Sequence, residues 1–307
     1  MLYAQPKDIA EAVKLLGDGP EQRSAVKSDS AVQRDFSANE SPADFSQPWT
    51  ILAGGTDFYP AMLEGPRAAR VLDIHALSEL KRVEVTDAQV RIGAGVTWSD
   101  IIKADLPPSF DALKLAAREI GSVQIQNKAT LAGNLCNASP AADGVPALLV
   151  LDAQVELVSR RGTRQLALAD FILGNRKTAK RVDELLTAII VPSESCAGRS
   201  TFLKLGARKY LVISISMVAV RLECNDEGQI QHLAIAVGSC SEVARRLVEL
   251  EKNLLNCHLS ELSGLVSASN LDPLTPIADV RSSAKYRMDA SLELVKRALN
   301  SFGSLSS

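Results

Sequence analysis

The chain has 307 residues with 34 Lys and Arg against 36 Asp and Glu, a formal charge of -2, and 46% hydrophobic and 23% charged residues. Such a length and mix bury a sizeable core in about two ordinary domains and set the chain apart from disordered and fibrous sequences. The even charge offers no basic footprint for nucleic acid or an anionic membrane, and no apolar run reaches the roughly 18 to 20 residues that span a bilayer.

The start, MLYAQPKDIAEA, lacks the charged-then-apolar order of a signal peptide, so the expected compartment is the cytoplasm. Residues 7–16 place Ile9, Ala12, Val13 and Leu16 on one stripe of an amphipathic helix, with Gly17 placed to end it. From 21 to 48, Ser, Asp, Gln and Asn crowd out aliphatics, which predicts an exposed or partly disordered insertion. WTILAGGTDFYPAML at 49–63 then runs a short strand into a glycine pair and a helical turn. ARVLDI and VRIGAG supply further strands and 111–120 another helix, an α/β pattern.

From 153 the strands alternate: QVELVSRR turns at Arg161, Gly162 and Thr163 into RQLALAD, and ELLTAIIVP ends at Pro192. SESCAGRS at 193–200 is polar, small and aperiodic, and reads as the linker between two domains. Beyond it YLVISISMVAVRLE (210–223) and QIQHLAIAVGS (229–239) flank Asn225, Asp226, Glu227 and Gly228 as a long hairpin. Segments 242–255, 259–269 and 283–302 read as helices, and no internal repeat is evident.

Two segments carry chemistry. In Ala53, Gly54, Gly55, Thr56 and Asp57, two glycines after a strand let backbone N–H groups approach a diphosphate with no Cβ in the way, although a glycine pair also suits a plain tight turn. The spacing is neither GxGxxG nor a P-loop, so the Rossmann and NTPase readings lack their signatures. The stretch 120–143 is rich in small and amide-bearing residues, a poor core but apt for backbone wrapped round a polar ligand. Its Asp143 offers an acceptor for ribose hydroxyls, or is a solvated surface carboxylate. Cys136, Cys196, Cys224, Cys240 and Cys257 are scattered without a CxxC pair, which predicts free thiols and no metal. His75, His232 and His258 show no spacing that suggests a catalytic partner.

AGGTD at 53–57, IGSVQIQNKATLAGN at 120–134, NASPAAD at 137–143, PALLVLDA at 146–153 and GNRKT at 174–178 are followed in order by DELLTAIIVP, FLKLGARK at 202–209 and VRSSAKYR at 280–287. Together these motifs resemble the FAD-binding medium subunit of molybdenum hydroxylases, the xanthine dehydrogenase and carbon monoxide dehydrogenase flavoproteins. The resemblance covers nearly the whole chain outside 21–48. It implies an α+β architecture: a two-subdomain FAD-binding fold of the vanillyl-alcohol-oxidase (PCMH) type over 1–195, and a C-terminal domain of antiparallel strands and helices over 200–307.

By the same resemblance, Ile51, Leu52, Ala53, Gly54, Gly55, Thr56, Asp57 and Phe58 wrap the FAD diphosphate, and Ala129, Thr130, Gly133, Asn134 and Asn137 supply a second loop. Asp143 takes a ribose hydroxyl. Leu185 and Leu186 give apolar and backbone contacts to the isoalloxazine, Ile120 packs near its other side, and Lys204 reaches the flavin's polar edge. Arg176 and Lys177 resemble the family's RKT but read as an exposed turn outside the site. The implied partners are a molybdopterin-containing large subunit, which oxidises the substrate, and a small subunit whose [2Fe–2S] clusters relay electrons to the flavin. The outlet is NAD+ or another acceptor, and no residue here is catalytic. Ala132 and Gln126 stand where the family commonly has Gly and Arg. Two alternatives are a stand-alone FAD oxidoreductase, such as the enolpyruvyl-sugar reductases, and a flavin-free assembly subunit.

Overall fold

The computed structural model describes residues 1–18, 31–33, 47–64 and 68–303. Most of the polar stretch 21–48 therefore lies outside the described residues. Its 31–33 segment is not loop but an edge strand, β2 (Ala31–Gln33), antiparallel to β1 (Leu2–Ala4). Between them, α1 (Ile9–Gly17) begins at Asp8, whose carboxylate accepts from the Glu11 N–H. It buries Ala12, Val13 and Leu16, the stripe its spacing predicts. β3 (Thr50–Leu52), α2 (Phe58–Glu64) and β4 (Arg70–Asp73) complete a four-stranded sheet of order β2-β1-β4-β3. β4 runs parallel to both of its neighbours, so loop 53–57 leaves β3 at the sheet's C-terminal edge.

A second, wholly antiparallel sheet follows. β5 (Val83–Val85) and β6 (Gln89–Gly93) are separated from β7 (Gln154–Ser159) and β8 (Gly162–Ala167) by five helices: α3 (Trp98–Lys103), α4 (Asp111–Glu119), α5 (Val123–Gln126), α6 (Leu131–Asn137) and α7 (Gly144–Leu149). After α8 (Leu168–Phe171) and the small pair β9 (Ile172–Gly174) and β10 (Lys177–Thr178), β11 (Leu185–Pro192) enters the middle, giving the order β5-β6-β11-β7-β8. Both of its faces are covered, which is why it reads as an unbroken apolar run and not as an alternation.

In the C-terminal sheet, β12 (Arg199–Leu205), β13 (Ser216–Cys224), β14 (Ile230–Gly238) and β15 (Arg245–Arg246), the two central strands are buried on both faces for most of their length, and alternate residues enter different cores. Met217, Ala219, Ala234 and Ala236 join the core of the first two sheets, against α7 and α4. Val218, Val220, Leu222, Leu233, Ile235 and Val237 form a second core under α9 (Val248–Leu254) and α10 (Ala284–Gly303). Three alanines on the first face let α7 lie close to the strands, while branched residues fill the wider gap on the other. No helix among the described residues is long and apolar enough to cross a membrane.

Several expectations fail locally. The linker 193–200 is short: Ser193–Ser195 form a helical turn with Ser195 buried and donating to Asp152, and β12 already begins at Arg199. Its serines are polar because they are bonded, not because they are solvated. Ser200 Oγ accepts from the Ala112 N–H and donates to the Ser109 carbonyl, all buried. Residues 210–215 are not strand but the end of a loop, because β13 starts only at Ser216. The helix expected over 242–255 begins at Val248. Ahead of it Arg245 and Arg246 pair with β14, and the Arg246 guanidinium takes both Glu251 oxygens and one of Asp152. Residues 259–269 hold a 3-10 segment, Leu259–Leu265, and the start of another, Ala268–Leu271, in place of an α-helix.

Candidate functional site

Loop 53–57 carries β3 into α2, and its shape depends on both glycines. A Cβ on Gly54 would stand 2.0 Å from the Lys128 carbonyl oxygen and 2.9 Å from the Ala129 Cα, so the first loop lies with its backbone directly on the second. Gly55 has φ +77, and a Cβ there would meet the Tyr59 ring at 2.7 Å. Of the expected residues here, Ile51 is half-buried and Leu52 buried as strand, and the Leu52 carbonyl accepts from the Ile74 N–H. The N–H groups of Gly54, Gly55, Thr56, Asp57 and Phe58 donate to no acceptor among the described residues. These five donors, which include those left unpaired at the start of α2, are open to an anion.

The second loop starts where α4 ends at Ile120 and Gly121 turns with φ +52. Gln126 is buried, and its amide donates to the carbonyls of Ile120 at 3.0 Å and Arg118 at 3.3 Å. At this position a neutral side chain staples the loop to its helix. Ala129 and Leu131 pair with the 96–98 segment through Trp98 N–H to Ala129 O and Leu131 N–H to Val96 O. Thr130 then caps α6, accepting from the Gly133 N–H at 3.0 Å. The Ala132 methyl is buried in the core and does not stand in the loop. Asn134 Oδ1 is buried with no hydrogen-bond partner, a state that costs free energy unless a ligand donor meets it.

At the far end of α6, Asn137 Oδ1 accepts from Arg176, whose N–H donates to the Ala138 carbonyl at 2.9 Å. Arg176 has φ +59 and is exposed, as is Lys177, so GNRKT is the exposed turn the sequence suggests, tethered through Arg176 to Asn137. Leu185 and Leu186 are buried on β11, opposite Val158 and Leu157. The turn before them is fixed by Glu184, which takes Arg164 in a fork at 2.8 and 2.9 Å. Cys136 is exposed by area, yet surrounding protein desolvates its thiol and pushes it up to about 11, with the Lys180 charge pulling the other way. A neutral thiol is a poor nucleophile. Iodoacetamide is therefore expected to label Cys136 slowly at neutral pH and fast only as the pH approaches about 11, read by peptide mass spectrometry. Rapid neutral labelling would contradict this.

Asp143 is not a surface carboxylate. Lys204 Nζ lies 2.6 Å from its Oδ2, with the two side chains 6% and 8% exposed, and Ser214 Oγ donates to Oδ1 at 2.5 Å. Burial pushes the Asp143 carboxyl upward; the Lys204 charge and the hydrogen bonds from Lys204 and Ser214 pull it down, while Glu119 adds to the rise. Two carboxylate lone pairs remain for a further donor. Lys204 Nζ also points at the Glu119 carbonyl, 3.5 Å away, beside Ile120. Of the expected residues, the structure brings Gly54 onto 128–129 and joins Asp143 to Lys204 beside 119–120, while Thr130 to Asn137 run along α6 and Leu185 and Leu186 are buried within β11. Ser214 is an addition the sequence did not supply, because it acts through Asp143, 71 residues back.

Comparison with known proteins gives the family. Residues 36–194 match the FAD binding domain in molybdopterin dehydrogenase, and 201–302 match the CO dehydrogenase flavoprotein C-terminal domain. The chain is 32% identical over 249 residues to the nicotinate dehydrogenase FAD-subunit of Eubacterium barkeri, covering 79% of this chain and 84% of that protein. It is 27% identical over 308 residues to the xanthine dehydrogenase FAD-binding subunit of Escherichia coli O157:H7, covering 97% and 94%. In fold it resembles a chain of reconstituted CO dehydrogenase from Oligotropha carboxidovorans, with a TM-score of 0.79 at 24% identity and coverage of 97% and 96%. With both family units matched in order over 36–194 and 201–302, and a relative 32% identical over 79% of the chain, the chain belongs to the FAD-binding subunits of the molybdenum hydroxylase-type dehydrogenases.

Proposed function

We propose that this chain holds FAD extended between loop 53–57 and segment 120–143, and works as the electron-carrying subunit of a complex with a molybdopterin-containing large subunit and a [2Fe–2S] small subunit. The observation that carries this reading is the run of five free N–H groups at 54–58, set directly against the second loop. Residues 51–58 wrap the diphosphate, Ala129, Thr130, Gly133, Asn134 and Asn137 line the opposite side, and the buried Asn134 Oδ1 awaits a donor that a nucleotide supplies. Asp143 and Lys204 enter as a preformed pair: the spare lone pairs of Asp143 meet a ribose hydroxyl while Lys204 and Ser214 hold its two oxygens in place. Ile120, Leu185 and Leu186 bound the isoalloxazine, and the division of labour in the chain is 1–195 for FAD and 200–307 for the wall that closes on it.

FAD suits such a relay because it takes up electrons singly and gives them up in pairs, here from iron–sulfur clusters to NAD+ or another acceptor. The protein contributes position, polarity and access; none of its residues needs to move a substrate proton. The isolated chain is expected to purify yellow with one flavin per chain. Under anaerobic conditions it is expected to remain yellow with purines, aldehydes and N-heterocycles until the molybdenum and iron–sulfur partners are added. A colourless protein would favour the assembly-subunit reading, and bleaching of the lone chain by an organic substrate would favour a stand-alone oxidoreductase.

A further inference from the structure

We infer that Arg287, held by Asp279, is a positioning residue for the strap 206–215, and that through it the VRSSAKYR segment fixes the C-terminal wall of the candidate cleft; its relevance to flavin rests on the function proposed above. The strap joins β12 to β13 and is closed at its base by the Ile215 N–H donating to the Leu205 carbonyl at 2.8 Å. One residue earlier, Ser214 is bonded to Asp143. On the other side, Arg287 Nη1 donates to the carbonyls of Ile215 at 2.6 Å and Ser239 at 3.0 Å, and its Nη2 donates to Asp279 Oδ1 at 2.8 Å. Arg287 is only 3% exposed.

Asp279 is itself immobilised. It accepts from the Arg281 N–H and guanidinium, each at 2.9 Å, and from the Ser282 N–H at 3.2 Å. One turn along α10, Ser291 links the Arg287 carbonyl to Ser216 and Cys240. The guanidinium thus ties together the strap's base, the end of β14 and the start of α10. With Arg287 enclosed and Asp279 partly open to solvent, the value of the pair lies less in stability than in fixing where its hydrogen-bonded partners stand.

The strap's tip has no comparable anchor. Arg208 Nε donates to the Leu211 carbonyl at 3.1 Å, Lys209 lies over the Tyr210 ring, and Leu211 has φ +52, all contacts within the strap. Tyr210, Leu211 and Ile213 are 63%, 55% and 51% exposed. The place of this apolar tip is therefore set by the base, and the base is set by Asp143 beneath it and Arg287 behind it. A shift at Ile215 is passed one residue on to the Ser214 bond with Asp143, and so to the cleft.

The test uses the flavin-loaded full chain with Asp279→Asn, Arg287→Lys and Arg287→Met, beside Val295→Ala, which opens a cavity in the same core without touching the strap. Losing a charge-assisted tether is expected to speed native-state trypsin cleavage after Arg208 or Lys209 by roughly tenfold or more, and to raise the flavin dissociation rate in parallel. Val295→Ala, compared at a matched urea midpoint, is expected to leave strap cleavage near the wild-type rate. Should Arg287→Met fail to fold, Asp279→Asn and Arg287→Lys carry the comparison. Strap cleavage in those variants no faster than in Val295→Ala overturns the inference. A colourless wild type defeats the flavin reading alone, because cleavage still reports on the clamp.

Discussion

Gly54→Ala is expected to yield a chain that keeps little or no flavin and unfolds more easily. The added methyl would stand 2.0 Å from the Lys128 carbonyl oxygen and 2.7 Å from its carbon, and neither belongs to a flexible side chain that can swing away. The two loops must part, at an overpacking cost of about 1–3 kcal/mol in stability. Binding suffers further because the five N–H groups of 54–58 no longer face the second loop; every 1.4 kcal/mol or so lost there weakens FAD tenfold. Gly264→Ala is the control, since nothing lies within 4 Å of its Cβ position. Flavin-to-protein absorbance ratios and urea unfolding midpoints decide the matter, and full occupancy in Gly54→Ala would remove the loop from the site.

The second large effect is expected at Asp143. Asp143→Ala removes the carboxylate from a pair whose members are both nearly enclosed, leaving the Lys204 ammonium without its counter-charge and Ser214 without its acceptor. Breaking a buried pair from one side typically costs about 3–5 kcal/mol, most of it the penalty of the stranded charge. Joining Lys204→Met to Asp143→Ala is expected to recover much of the stability but not the flavin affinity, because the ribose acceptor is still missing. A double-mutant cycle on unfolding free energy, with FAD dissociation constants taken in the same buffer, separates the two roles. A loss under 1 kcal/mol or so in the single variant would mean that the pair is solvated and weak. Unchanged flavin affinity would return Asp143 to a purely structural role.

What was legible in the sequence follows the range of the forces involved. The stripe Ile9, Ala12, Val13 and Leu16 could be read because local periodicity and burial agree, and the hairpin of β13 and β14 was visible because its turn residues and apolar runs are local. The glycine pair and the 120–143 stretch stood out by composition, and their order along the chain gave the family. The strap did not. Leu211, Ile213 and Ile215 alternate as a strand would, but Ser214 is taken by Asp143, 71 residues back, and the Ile215 carbonyl by Arg287, 72 residues on. Arg245 and Arg246 continue a helical pattern until β14 and Glu251 claim them. Asp143 looked solvated for a like reason: nothing near it in sequence announces Lys204. Local propensity was overruled wherever a buried charge found its partner across the fold.

The doubly covered C-terminal sheet bears on how such a chain can be divided. Two family units meet within residues 195–200, the natural place to cut the gene, yet Met217, Ala219, Ala234 and Ala236 on the far side of that point are part of the near side's core. A fragment ending there would leave α4 and α7 bare, and its complement would show water an apolar sheet face. The boundary between the two matched units is thus not a boundary of packing: four residues from beyond it complete the core that precedes it.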